Sequence, residues 1–256
     1  MKIGGSELAT RLVVAFILIG LAFAALFLGG SVFWLVVVAA GLLMMGEWAG
    51  LTGAGPAERR LSQYALSVPL AAMSPLAAGP GFLALGLLAG ACVFVGATTR
   101  RPRLAWGVLY VGLPVLALVL LRERENGLLI TFWAMALVWA CDSGAYFAGR
   151  AIGGPKLAPA ISPNKTWAGF LGGVAAAGLF AWALVLLFGL PVLLALATPL
   201  LAVLAQAGDL YESHLKRVAG VKDSGNLLPG HGGVMDRLDG LVAVAPVAAL
   251  LVLVAE

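Results

Sequence analysis

Asp209, Glu212, Ser213 and Lys216 recur at i, i+3, i+4 and i+7, so a helix carries all four on one face. Asp236 follows 27 residues after Asp209, and Asp239 follows Asp236 at i+3. Two helix ends that offer carboxylates present oxygen-only ligands. That donor type suits Mg²⁺, which takes one or two carboxylates and completes its shell with substrate phosphates and water. Between the two groups runs Leu228-Pro229-Gly230-His231-Gly232-Gly233. Glycines ahead of a helix start let backbone N–H groups approach an anion, and the helix dipole adds its positive end. Lys216, Arg217, Lys222 and Arg237 add cations that suit phosphate. Metal, basic clamps and backbone donors are the parts of a phosphoryl-transfer site.

A second cluster precedes the first. Asp142-Ser143-Gly144-Ala145-Tyr146 leads into Gly149-Arg150, Gly153-Gly154-Pro155-Lys156 and Ser162-Pro163-Asn164-Lys165-Thr166. Asp142, Tyr146 and Arg150 share a helical face. From Arg150 to Thr166 there are three positive charges and no negative ones, which matches a phosphate-rich ligand. Asp142 lies inside an apolar run. It reads either as a functional acid or as the partner of Arg150 or Lys165. Glu47 is another acid in an apolar run, but no motif lies beside it, and it reads as a structurally paired group.

These residues need a scaffold, and the composition names its class. The chain has 256 residues, 62% hydrophobic and 11% charged, with a mean hydropathy of +1.03. A soluble domain carries about 25% charged residues. Too few polar groups remain to cover a water-soluble globule of this size, and the same numbers exclude disorder. Cys92 and Cys141 sit in apolar runs, so neither a disulfide framework nor zinc spacing is present. The expected fold is all-α and polytopic. Nine spans are expected at 12–29, 31–51, 62–78, 80–97, 105–121, 128–148, 169–188, 190–208 and 239–255. Spans 1–5 form an N-terminal membrane region over 1–125, and spans 6–9 form a catalytic region over 126–256. The alternation of a membrane barrel is absent.

Basic residues orient the spans. With the N-terminus in the cytoplasm, 14 of the 16 Lys and Arg fall on the cytoplasmic side, from Lys2 and Arg11 to Arg237. Arg122 and Arg124 are the exceptions. The net charge of +4 fits an anionic membrane surface, and no nucleic-acid motif is visible. Nine of the 28 charges and both histidines, His214 and His231, fall within the 31 residues Asp209–Asp239.

That segment resembles the signature of the phosphatidate cytidylyltransferases, or CDP-diacylglycerol synthases. The matching residues are Ser213-His214-Leu215-Lys216-Arg217, Lys222-Asp223, Gly225, Leu228-Pro229 and His231-Gly232-Gly233-Val234-Met235-Asp236-Arg237-Leu238-Asp239. The run from Asp142 to Thr166 is similar too, with one departure: Ala168 stands where the family often has Glu. The resemblance covers about residues 130–240 well, and the first 120 residues match in hydropathy alone.

The resemblance implies an enzyme that joins CTP to phosphatidate with Mg²⁺, giving CDP-diacylglycerol and pyrophosphate. A second, monovalent cation (K⁺) beside the Mg²⁺ and a homodimer are left open. By the same analogy Asp209 and Asp236 are the first metal ligands and Asp239 the next. Lys216, Arg217, Lys222 and Arg237 bind phosphate, and His231, Gly232 and Gly233 form the turn beside the triphosphate. Ser162, Asn164 and Lys165 contact nucleotide or phosphatidate, and Ser213 lies close to the metal. The expected site is a polar funnel at the cytoplasmic ends of spans 6–9 in a bacterial inner membrane, with a gap toward the lipid. A CDP-alcohol phosphotransferase fits less well, because its carboxylate pattern is missing. An anionic-solute transporter also fits less well, because no internal repeat is visible.

Overall fold

The computed structural model describes residues 5–255, with side chains from residue 12 onward. Lys2 lies outside the described residues, as does the side chain of Arg11. In a bilayer each backbone polar group must be satisfied within the protein, so long apolar runs become helices. Among the described residues there are nine: α1 (Gly5–Leu28), α2 (Gly30–Leu51), α3 (Pro56–Ala72), α4 (Phe82–Thr99), α5 (Pro102–Arg122), α6 (Gly127–Ile152), α7 (Trp167–Phe188), α8 (Val192–Val218) and α9 (Met235–Ala255). Seven are long and apolar enough to cross a membrane: α2 and α4 through α9. The chain is an all-α membrane protein with one small hairpin of β1 (Lys156–Ala158) and β2 (Ser162–Thr166).

Two compact units divide the chain. The first holds residues 1–123 and 219–238; the second holds 124–218 and 239–256. In the first unit the α1–α2 joint turns on Gly29 and Gly30, with φ of 61° and 48°. Arg122 donates from Nε to the Leu26 carbonyl at 2.8 Å, which satisfies an orphan acceptor at the end of α1. Trp48 is buried between α2 and α5. Its Nε1 donates to the Arg103 carbonyl at 2.8 Å, and its ring lies 4.7 Å from that of Tyr110. Gly107 makes room for this ring, since a Cβ there would collide with it.

The third expected span is displaced. It was expected at 62–78, whereas α3 runs over Pro56–Ala72, 17 residues that include Glu58, Arg59, Arg60 and Gln63. Its start is capped: the Gly55 N–H donates to Glu58 Oε2 at 2.8 Å, and Arg101 Nε pairs with Glu58 Oε1 at 2.9 Å. Its end precedes Ser74-Pro75, because a residue before proline is driven out of the helical region. With these charges and this length α3 is not among the seven long apolar helices.

In the second unit α6 and α7 pack closely through glycine. A Cβ at Gly173 would lie 2.8 Å from the Cys141 carbonyl, and one at Gly169 would lie 2.8 Å from that of Ala145. Small residues let helix backbones approach in a membrane. Gln206 on α8 donates to the Phe170 carbonyl at 3.1 Å, and Trp133 Nε1 donates to Thr198 Oγ1 at 3.0 Å. Gly208 brings α8 against α9, where a Cβ would lie 2.8 Å from the Asp239 carbonyl.

Candidate active site

The hairpin was not expected from the sequence, which reads 150–166 as a loop. Gly153 and Gly154, with φ of 69° and 91°, turn the chain out of α6. Antiparallel pairing then sets Lys156 opposite Thr166 and Ala158 opposite Ser162. Thr166 ends β2 and caps α7, accepting the Gly169 N–H at 3.1 Å. Strand alternation sends Lys165 to the face opposite Ser162 and Asn164. Lys165 Nζ meets Asp209 Oδ2 in an ion pair. Ser213 Oγ donates to Asp209 Oδ1 at 3.3 Å, as the shared face of α8 requires. The same face carries Lys216, which pairs with the fully buried Glu212 at 3.1 Å. Arg217 and His214 are exposed on the last turn of α8.

Asp239 completes this group in the second unit. Its carboxylate is subject to the negative charges of Asp209 and Asp142 and to the positive charge of Lys216. Arg150, on the same helix as Asp142, donates to the Tyr146 hydroxyl at 2.8 Å. Three acids and two lysines thus come from α6, β2, α8 and α9.

Among the described residues no three His, Cys, Asp or Glu side chains form a cluster able to hold a metal ion. Mg²⁺ does not need one, since it binds through one or two carboxylates together with substrate phosphates. Asp209 and Asp239 fit that requirement. Both are oxygen-only donors, and they sit on two helices held in contact at Gly208.

The signature loop belongs to the first unit. Leu228 bridges to Gly232, its N–H donating to the Gly232 carbonyl at 2.9 Å. Gly230 and Gly232, with φ of 75° and 82°, make the turn that an L side chain disfavours. Arg237 Nε donates to the His231 carbonyl at 3.1 Å, while His231 Nδ1 lies 3.4 Å from the Pro229 carbonyl oxygen. Lys222 is exposed. Asp236 Oδ2 accepts from Gly233 N–H, Ser224 N–H and Ser224 Oγ, each at 2.8 Å.

The backbone donors at the start of α9 already face an anion. Val234 N–H and Met235 N–H each donate to Glu47 at 2.8 Å, and Ser224 Oγ lies 3.1 Å from Glu47 Oε2. Glu47 therefore has a motif beside it after all. The sequence shows no motif beside it because its partners lie 177 to 188 positions away. Its presence as an acid in an apolar helix was the available signal. A cavity of about 410 Å³ lies beside it, walled by Leu43, Gly46 and Gly50 of α2, by Arg59 and by Ser224–Leu227. Its walls come from α2, α3 and the loop, rather than from the sixth to ninth spans.

The model of the cytidylyltransferase family matches residues 9–255. The chain is 43% identical over 251 residues to the phosphatidate cytidylyltransferase of Brucella suis biovar 1 (strain 1330), covering 94% of this chain and 91% of the relative. It is 39% identical over 265 residues to that of Pseudomonas aeruginosa, covering 95% and 96%. To that of Bacillus subtilis (strain 168) it is 46% identical over 142 residues, 54% and 53% of the two chains. Similarity thus reaches well into the first 120 residues, beyond the segment that carries the sequence motifs. The chain belongs to the cytidylyltransferase family.

Proposed function

We propose that the chain transfers the cytidylyl group of CTP to phosphatidate, giving CDP-diacylglycerol and pyrophosphate in phospholipid biosynthesis. The carrying observation is the meeting of Lys165 with Asp209, with Asp239 and Lys216 in the same unit. The phosphatidate phosphate attacks the α-phosphorus of CTP, forming a new P–O bond as the bond to pyrophosphate breaks. This nucleophile is already anionic at neutral pH, so no strong base is required. The task is to bring two polyanions together, and fixed positive charge offsets their repulsion.

Asp209, Asp236 and Asp239 are the proposed Mg²⁺ ligands, Asp236 lying one helical turn before Asp239 on α9. Bound there, Mg²⁺ would neutralise phosphate charge. Lys165 holds Asp209 in place and supplies a cation where the phosphates enter. Lys216, Arg217, Lys222 and Arg237 are the proposed phosphate contacts. Ser162 and Asn164 contact nucleotide or phosphatidate, and Ser213 orients Asp209. His231, Gly232 and Gly233 shape the turn beside the triphosphate.

The proposed topology is nine crossings with the N-terminus and the site in the cytoplasm, in a bacterial inner membrane. Its support is the split of basic residues, 14 to 2 with nine crossings, against 12 to 4 if α1 does not cross and 10 to 6 if α3 does not. Single cysteines placed at 60 and 123, labelled from outside intact cells, test it: label at 123 alone is expected, and label at 60 refutes it.

Purified protein supplied with CTP, phosphatidate and Mg²⁺ tests the activity. Equimolar pyrophosphate and CDP-diacylglycerol are expected, and absence of both products overturns the reading.

A further inference from the structure

Glu47 lies on α2 and is remote in sequence from each signature residue, yet its carboxylate accepts from the signature loop. It is buried in α2 at 8% exposure. A carboxylate there is tolerated when donors surround it. Those donors are Val234 N–H, Met235 N–H and the Ser224 hydroxyl. The first two belong to the start of α9, where a negative charge also meets the positive end of the helix dipole.

Ser224 links this acid to Asp236. Its hydroxyl lies 3.1 Å from Glu47 Oε2 and 2.8 Å from Asp236 Oδ2, one proton shared between two carboxylates. Two signature glycines are explained by the same contact. A Cβ at Gly233 would lie 2.6 Å from Glu47 Oε1, and one at Gly225 would lie 3.0 Å from it. No side chain fits at Gly233 while Glu47 stays where it is.

We propose that Glu47 is a positioning residue: it fixes the first turn of α9 and, through Ser224, the orientation of Asp236. This rests on the role proposed above for Asp236 as a metal ligand. Partners that orient a ligating carboxylate change metal affinity or activity by about 10–100-fold when removed.

The test uses the full chain in detergent or lipid vesicles. Glu47→Gln keeps the shape but turns an N–H₂ group toward backbone donors. Expected are a fall in kcat of about 10-fold or more, KM for both substrates within about threefold, and a raised Mg²⁺ half-saturation. Amide hydrogen exchange at Gly233–Met235 is expected to quicken by about 10-fold or more. Adding Ser224→Ala to Glu47→Gln should cost less than about threefold more, since both act on one contact.

Unchanged kcat with unchanged exchange overturns the proposal, as does full additivity of the two substitutions. If Glu47→Gln does not fold, Ser224→Ala alone decides, and wild-type kcat and Mg²⁺ half-saturation in that variant overturn it. The exchange readout needs no turnover. An inactive wild-type protein with exchange quickened by Glu47→Gln would sink the proposed activity and leave the bracing of α9 standing.

Discussion

Lys165 on β2 and Asp209 on α8 form an ion pair between the hairpin and the helix that carries the first acid of the signature segment. Their side chains are 23% and 29% exposed, open enough for a substrate phosphate to reach and shielded enough for charge to matter. A pair of this exposure contributes little to folding. In the proposed reaction its value lies in holding a cation beside a carboxylate where two polyanions would meet.

Asp209→Asn and Lys165→Ala are therefore expected to separate activity from stability. Each should lower turnover by about 100-fold or more, as loss of a fixed electrostatic group at a reacting phosphate does. Unfolding midpoints in detergent should stay within a few degrees of wild type. Pyrophosphate release and a thermal melt, run on the same preparations, check both halves.

Lys216 should behave differently, because its partner is fully buried. Lys216→Ala leaves the Glu212 carboxylate in a low-dielectric setting with its ion pair lost. A destabilisation of about 3–5 kcal/mol is expected. The double change Lys216→Met with Glu212→Leu, which removes both charges, should recover most of it. Denaturant unfolding of the two variants measures the difference.

Gly107 offers a test of the fold away from the acids. A Cβ at this position collides with the indole of Trp48, a rigid group anchored by its bond to Arg103. Gly107→Ala is expected to cost about 1–3 kcal/mol through overpacking. Trp48→Phe in the same chain should relieve part of that cost, and the melting temperatures of the three variants report it.

Metal removal should act on activity rather than on folding. With Asp209 already paired to Lys165, the helices do not depend on a cation for charge balance. Chelation is expected to abolish pyrophosphate release, and Mg²⁺ to restore it, with no change in the far-ultraviolet circular dichroism spectrum. A loss of helix on chelation would show that the metal holds the fold together.

Much of the architecture was legible from spacing alone. The expected spans 31–51, 128–148 and 169–188 correspond to α2 at Gly30–Leu51, α6 at Gly127–Ile152 and α7 at Trp167–Phe188. Glycine and proline mark helix limits locally, so sequence suffices there. The third span was misplaced because its hydropathy continues past Ala72, where Ser74-Pro75 ends the helix. The hairpin was missed because β1 and β2 are three and five residues long and mostly polar, without the apolar alternation that announces a strand.

Composition and local spacing determined that this chain is a helical membrane protein, and that its acids, bases and glycines gather in two segments. Those properties need no knowledge of distant contacts. Tertiary structure decided which carboxylate meets which donor. Lys165 reaches Asp209 from another segment, and Glu47 closes on Met235 from 188 positions away. A hydrogen bond acts over about 3 Å. Its partners are therefore set by how helices pack, and no periodicity within one helix carries that information.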